Sequence, residues 1–146
     1  MVQEGMPIGE LARRSGLSAR TLRYYEECGL LAPAARSGGG HRVYGPEVLE
    51  RLRRIRALQD LLGFSLEEIR QVIAAEERVR ELRVRYHQEE DAASRRRVLE
   101  EAIALAEQQM ALVSRRQAGL EAMRAELAER LARYRRLLAE LDERGK

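Results

Sequence analysis

Large aromatic side chains are nearly missing from this chain of 146 residues, which has one Phe, five Tyr and no Trp. So little aromatic bulk argues against a large globular enzyme core and favours helices that bury Leu, Ile, Val and Ala along stripes. A single Cys excludes a disulfide framework within the chain, and also a zinc or iron–sulfur site built from its cysteines. The N-terminus, Met1 to Glu4, has no basic n-region and no apolar h-region. The longest apolar run, Leu30 to Ala35, is six residues and is interrupted by Pro33. No segment can span a bilayer, so a soluble cytoplasmic protein without a membrane partner is expected. Lysine is the last scarcity: of 27 Lys and Arg, only Lys146 is Lys. Genomic base composition produces such a bias, but arginine also prefers two-pronged contacts to phosphate, carboxylate and guanine.

What is present is unevenly placed. Between Arg13 and Arg56 stand ten Arg and four acids, whereas from Glu76 onward 16 basic residues mix with 15 acidic ones. The first region has the electrostatic footprint of a polyanion binder, and the second that of a solvated helical surface. All three Pro and nine of eleven Gly precede residue 64. Short elements with turns are expected first, and long helices after them.

Gly9 to Ser15 reads as a short helix with Leu11 and Ala12 inward, closed by Gly16. Ser18 is a good N-cap for a second helix, Ala19 to Glu27, with Leu22 and either Tyr25 or Glu26 inward and Gly29 at its end. Two short helices joined by a Ser-Gly-Leu turn make a helix-turn-helix candidate. Leu30-Leu31 and Arg42-Val43-Tyr44 are then expected to pair as short strands around a basic, glycine-rich wing that holds Pro33, Arg36 and Gly38-Gly39-Gly40. A third helix starts at Gly45-Pro46-Glu47 and runs to Leu62 with Val48, Leu49, Leu52, Ile55, Leu58, Leu61 and Leu62 on its inward side, and stops at Gly63. Ser65 and Glu68 form a capping box for a fourth, which continues to Tyr86. The polar stretch Tyr86 to Ala93 reads as a joint, with Asp91 or Ser94 capping the last helix.

From Leu99 the apolar spacing alternates steps of four and three: Leu99, Ile103, Ala106, Met110, Val113, Gln117, Leu120, Arg124, Leu127, Leu131, Tyr134, Leu138, Leu141. Such a seam is a coiled-coil signature and needs a partner helix, most economically the same helix of a second copy in a C2 dimer. Gln117 and Arg124 are polar seam residues of the kind that set register. A hairpin bending at Gly119 is the alternative, although the heptad phase runs through it.

Ile8-Gly9-Glu10-Leu11-Ala12, Gly16-Leu17-Ser18, Thr21-Leu22-Arg23-Tyr24-Tyr25-Glu26 and Gly29-Leu30-Leu31 closely resemble the MerR family of transcription regulators. Arg36, Arg42-Val43-Tyr44 and Gly63-Phe64-Ser65-Leu66-Glu67-Glu68-Ile69 extend the match over about half the chain. The resemblance implies a mainly α fold: a winged helix-turn-helix DNA-binding domain and a long helix forming an antiparallel coiled-coil dimer. The expected divisions are 1–75 for DNA binding, 76–93 for a connecting helix and joint, and 94–146 for dimerisation. It also implies a homodimer on a pseudo-palindromic promoter element, bending and untwisting the spacer DNA so that RNA polymerase can engage.

On that reading Ser18 to Tyr25 enters the major groove. Arg20 and Arg23 share a face and either can fork onto guanine, with Arg23 the stronger candidate by resemblance. Thr21, Tyr24 and Tyr25 suit phosphate or sugar contacts, and Tyr25 is equally suited to core packing. In the wing, Arg36, His41, Arg42 and Tyr44 are candidates for backbone or minor-groove contact. The family often has Tyr where His41 stands, and Arg42 has the alternative of pairing with an acid on the third helix. Arg53, Arg54 and Arg56 add phosphate contacts or form a solvated face.

Gly38-Gly39-Gly40 lacks the Lys-Ser/Thr of a phosphate loop. The one helical metal-ligand spacing, His87 with Asp91, is a weak signal. Cys28 reads as a small packing residue. No metal, cofactor or enzymatic activity is therefore expected. An effector of unknown identity, if there is one, is expected near residues 76 to 98 or at the seam. Two other readings stand beside the regulator: an architectural, excisionase-like DNA-bending protein, and an interaction module docking partners on its coiled coil.

Overall fold

The structure, a computed structural model, describes residues 5–32, 35–36 and 38–146, with Arg36 described by its backbone alone. Expectations for Met1 to Glu4, for Pro33 and for the Arg36 side chain lie outside the described residues. The chain divides into two compact units, Met1–Arg80 and Glu81–Lys146.

The first unit begins with strand β1 (Met6–Pro7) and helices α1 (Ile8–Ser15) and α2 (Ala19–Glu27). Strands β2 (Ala35–Arg36) and β3 (Arg42–Tyr44) follow, then α3 (Glu47–Arg56) and a single wide π-turn, Ala57–Leu61. The sheet is antiparallel in the order β1-β3-β2, with Met6 opposite Tyr44 and Ala35 opposite Val43. Leu11, Leu22, Tyr25, Leu30, Leu31, Tyr44, Leu52, Ile55, Leu58, Phe64 and Ile69 are all buried, and burial of such side chains is the main favourable term in folding.

Two expectations are corrected here. Leu30-Leu31 is not the strand that pairs with residues 42–44; that place is taken by Ala35–Arg36, and β1 adds a third strand. Gly29 takes φ 75° and closes α2 by reverse hydrogen bonds, Gly29 N–H to Glu26 O at 3.1 Å and Leu30 N–H to Tyr25 O at 2.8 Å. Those bonds occupy the amides and turn both leucines into the core. Leu61 and Leu62, expected inward, are exposed, because the π-turn rotates the residues after Leu58 off the inward line. Gly63, at φ 65°, ends the segment and donates to Gln59 O at 3.1 Å.

Helix α4 (Leu66–Gln88) starts at the expected box, with Glu68 N–H donating to Ser65 Oγ and Ser65 N–H to Glu68 Oε1. The interruption before α5 (Ala92–Arg144) is only residues 89–91, shorter than the expected joint. Asp91 is the cap, accepting from Ser94 N–H at 2.8 Å. Arg95 donates to Glu89 O at 2.9 Å and lies over the Tyr86 ring, which fixes the turn from both sides. At 1.5 Å per residue α5 is about 80 Å long, and it passes through Gly119 unbroken, which removes the hairpin alternative.

Two stripes run along α5. Val98 and Leu112 are buried and Ala102, Leu105 and Gln109 half-buried on one side. Leu99, Ile103, Ala106, Met110, Val113, Leu120, Leu127 and Leu131 are exposed on the neighbouring face, as are Tyr134, Leu138 and Leu141 further along.

Candidate nucleic-acid interface

The turn between α1 and α2 is held from three sides. Gly16 adopts φ 73°, a backbone conformation that favours glycine, and its N–H bonds to Ala12 O at 3.0 Å. Leu17 N–H donates to Ser15 Oγ at 3.2 Å, and Arg56 Nη1 reaches from α3 to Ser15 O at 2.8 Å. Ser18 then caps α2, its Oγ accepting from Thr21 N–H at 3.1 Å and lying 2.9 Å from Thr21 Oγ1. This cap orders the first turn of α2, which carries Arg20.

Buried Leu22 and Tyr25 fix the rotation of α2, which leaves Arg20, Arg23, Tyr24 and Glu27 outward. Of the two readings of Tyr25, packing is the one seen: its ring is buried and its hydroxyl donates to Gln59 Oε1 at 3.4 Å. Tyr24 is half-exposed, and a hydrogen bond with half-buried Cys28 one turn on shifts its hydroxyl pKa upward.

Glu26, read from the sequence only as an alternative to Tyr25 for the inward face of α2, occupies the edge of this face. Its side chain is only 9% exposed and accepts from Arg42 Nη1 at 2.7 Å and from the Tyr44 hydroxyl. Two expectations for the wing are thereby corrected. Arg42 pairs with an acid on α2 rather than on the third helix, and Tyr44 is 2% exposed, so it fastens β3 to α2 instead of facing outward. Burial, and then the Glu26 carboxylate, push the Tyr44 hydroxyl up to about 12. His41 and the three glycines of the tip are exposed.

The arginines of the basic region fall into two groups. Arg14 pairs with Glu10, Arg42 with Glu26, Arg51 with Glu77 and Arg54 with Glu76, while Arg56 caps α1. Arg51 is partly buried, and desolvation, followed by the nearby Arg80 charge, lowers its pKa. Among the described residues, the side chains of Arg20, Arg23 and Arg53 have no ion-pair or hydrogen-bond partner. A guanidinium without a partner keeps all five donors for a phosphate or a guanine edge. Arg20 and Arg23 lie one turn apart on an element whose orientation is fixed by capping and packing. No group of three or more His, Cys, Asp or Glu able to hold a metal ion occurs among the described residues, and no described helix is long and apolar enough to cross a membrane.

Comparison with known proteins points the same way. The family profile "MerR HTH family regulatory protein" matches residues 6–76, which takes in both helices, the sheet and the start of α4. The nodulation protein NolA of Bradyrhizobium sp. (strain NC92) is 53% identical over 66 residues, 45% of this chain and 27% of its own length. The HTH-type transcriptional regulator YfmP of Bacillus subtilis (strain 168) is 44% identical over 66 residues, 45% of this chain and 47% of its own. This chain thus spans about half or less of these relatives. A crystal structure assigned to a MerR family transcriptional regulator from Listeria monocytogenes superimposes with a TM-score of 0.55 at 25% identity, covering 88% of this chain and 85% of that one. The first half of the chain, residues 6–76, is a helix-turn-helix domain of the MerR family of regulatory proteins.

Proposed function

We propose that the protein is a homodimeric, sequence-specific DNA-binding regulator of transcription initiation, and not an enzyme. The observation that carries this reading is the pair Arg20 and Arg23, exposed and, among the described residues, without a partner, on a capped helix whose buried face fixes its rotation. In the bound state α2 lies in the major groove. Arg23 reads a base edge, Arg20 a second edge or a phosphate, and Ser18, Thr21 and Tyr24 hold the backbone. Arg36 and His41 follow the flanking phosphates from the wing, which the Arg42–Glu26 pair holds beside α2. Arg53, whose side chain has no partner among the described residues, adds a contact to the same backbone from α3.

The exposed seam of α5 supports the homodimer: a row of apolar residues at heptad spacing is a costly surface for a lone helix in water. An antiparallel pair would carry two domains related by a twofold axis, which matches a pseudo-palindromic element. The family likeness supports action through the spacer of a promoter, where DNA held at both flanks is bent and untwisted and polymerase engages the realigned element. Recovery of bound genomic fragments followed by footprinting tests the reading. A twofold-symmetric footprint over a promoter spacer, with distorted central base pairs, is the expected result; a footprint within a recombination region or no sequence enrichment would contradict it.

A further inference from the structure

The seam repeats every seven residues, so an antiparallel second copy has several registers available, each shifted from the next by about 10 Å along the axis. From the charges along α5 we infer that the second copy binds in the register that sets Gln117 opposite Leu120 of the second copy. This rests on the homodimer proposed above.

In an antiparallel pair the residue after each Leu99-type seam position faces its own equivalent across the interface. In α5 this flank reads Glu100, Glu107, Ser114, Glu121, Ala128, Arg135, Asp142, and every one is exposed. The other flank, the residue before each Ile103-type position, lies beside the covered stripe as far as Leu112. Its charges between residues 102 and 137, Arg116 and Arg130, do not face each other in the inferred register, so the open flank decides. It is acidic in its first half and carries its one arginine in the second.

With Gln117 opposite Leu120 of the second copy, the seam is matched from Leu99 to Leu138, with Leu99 against Leu138 and Ala106 against Leu131. Glu100 then faces Arg135 of the second copy twice, once on each side of the twofold axis, and no like charges on this flank meet. Glu100 already accepts from Arg96 at 3.1 Å, so each contact would be a three-membered cluster. Sliding one heptad in one direction sets Glu121 against Glu121 across the axis and Glu100 against Asp142. Sliding in the other direction sets Glu107 against Glu121 twice. A parallel pair stacks Arg124 on Arg124 inside the seam. Like charges directly opposed are destabilising, so the register with none of them is selected.

Spin labels on full-length protein test this directly. Gln108→Cys and Arg136→Cys are made separately in a Cys28→Ser background, and the label-to-label distance is read by pulsed electron resonance. The inferred register predicts axial separations of about 32 Å at residue 108 and about 53 Å at residue 136. Equal distances at the two sites would overturn it in favour of the register with Glu121 on the axis. Two short distances would mean a parallel pair. A difference between the sites of about 40 Å would mean the opposite slide. Absence of any intermolecular distance would overturn the homodimer itself, which separates the two failures.

A charge exchange gives an independent reading by analytical ultracentrifugation. Glu100→Arg is expected to weaken the dimer roughly threefold to tenfold, and Glu100→Arg with Arg135→Glu to restore it. The contact with Arg96 is lost in both variants, so restoration reports on Arg135 alone. No restoration would overturn the register.

Discussion

Arg42 Nη1 donates to Glu26 Oε2 at 2.7 Å, and the buried Tyr44 hydroxyl donates to the other oxygen of the same carboxylate. One acid on α2 thus fixes the strand that leads out of the wing, and the two basic elements of the unit are held in one arrangement. In the proposed complex this relation spaces the major-groove helix from the backbone contacts beside it.

Replacing Glu26 with Ala leaves the buried Tyr44 hydroxyl without its acceptor. Urea unfolding is expected to show a loss of about 1–3 kcal/mol. The variant is also expected to bind DNA more weakly, because the wing is no longer fixed relative to α2. A loss within about 0.5 kcal/mol, as for an ordinary surface acid, would contradict this role.

Alkaline pH should weaken the same junction. The folded Tyr44 hydroxyl titrates at about 12, above the ordinary value of about 10 that the unfolded chain retains. A group whose folded pKa is raised contributes stability fully below the unfolded value, and that contribution is lost as pH rises from about 10 to about 12. Urea midpoints should therefore fall across this window, and fall less in Tyr44→Phe. Equal falls in both proteins would assign the titration elsewhere, such as to Tyr24 or Tyr25, whose hydroxyls are also shifted upward.

Local signals were legible where one or two residues decide the backbone. Ser18 and Ser65 cap the helices expected of them, and the boundaries of α2 were readable from Ser18 and Gly29. Leu30-Leu31 reads as a strand only from its apolar side chains, which say nothing of the reverse bonds that Gly29 imposes on the amides. Leu61 and Leu62 keep the helical period in sequence, but one wide turn changes the phase. The helical period places Glu26 among the inward candidates but does not show its role: its partners are 16 and 18 residues away, and no periodicity reports a contact across that distance. For the arginines, the sequence showed an excess of charge but not its allocation. The fold commits Arg42, Arg51, Arg54 and Arg56 to internal partners and leaves Arg20, Arg23 and Arg53 outward.

The wholly apolar first part of the α5 seam, Leu99 to Val113, should tolerate no charge. Ile103→Asp with Met110→Asp is expected to convert the dimer to monomer in sedimentation and to abolish binding to the selected DNA site. The circular dichroism of the first unit should be retained. A variant that stayed dimeric would sink the assignment of this face to the second copy.

The role of α2 rests on Arg23, and the most direct test is the affinity of full-length protein and of Arg23→Ala for the selected site and for scrambled DNA. A loss of roughly 1–3 kcal/mol is expected at the site, with little change on scrambled DNA and a sequence preference relaxed at one position in each half-site. Equal losses on both DNAs would make Arg23 a phosphate contact. Unchanged affinity on both would show that α2 does not carry DNA recognition through Arg23.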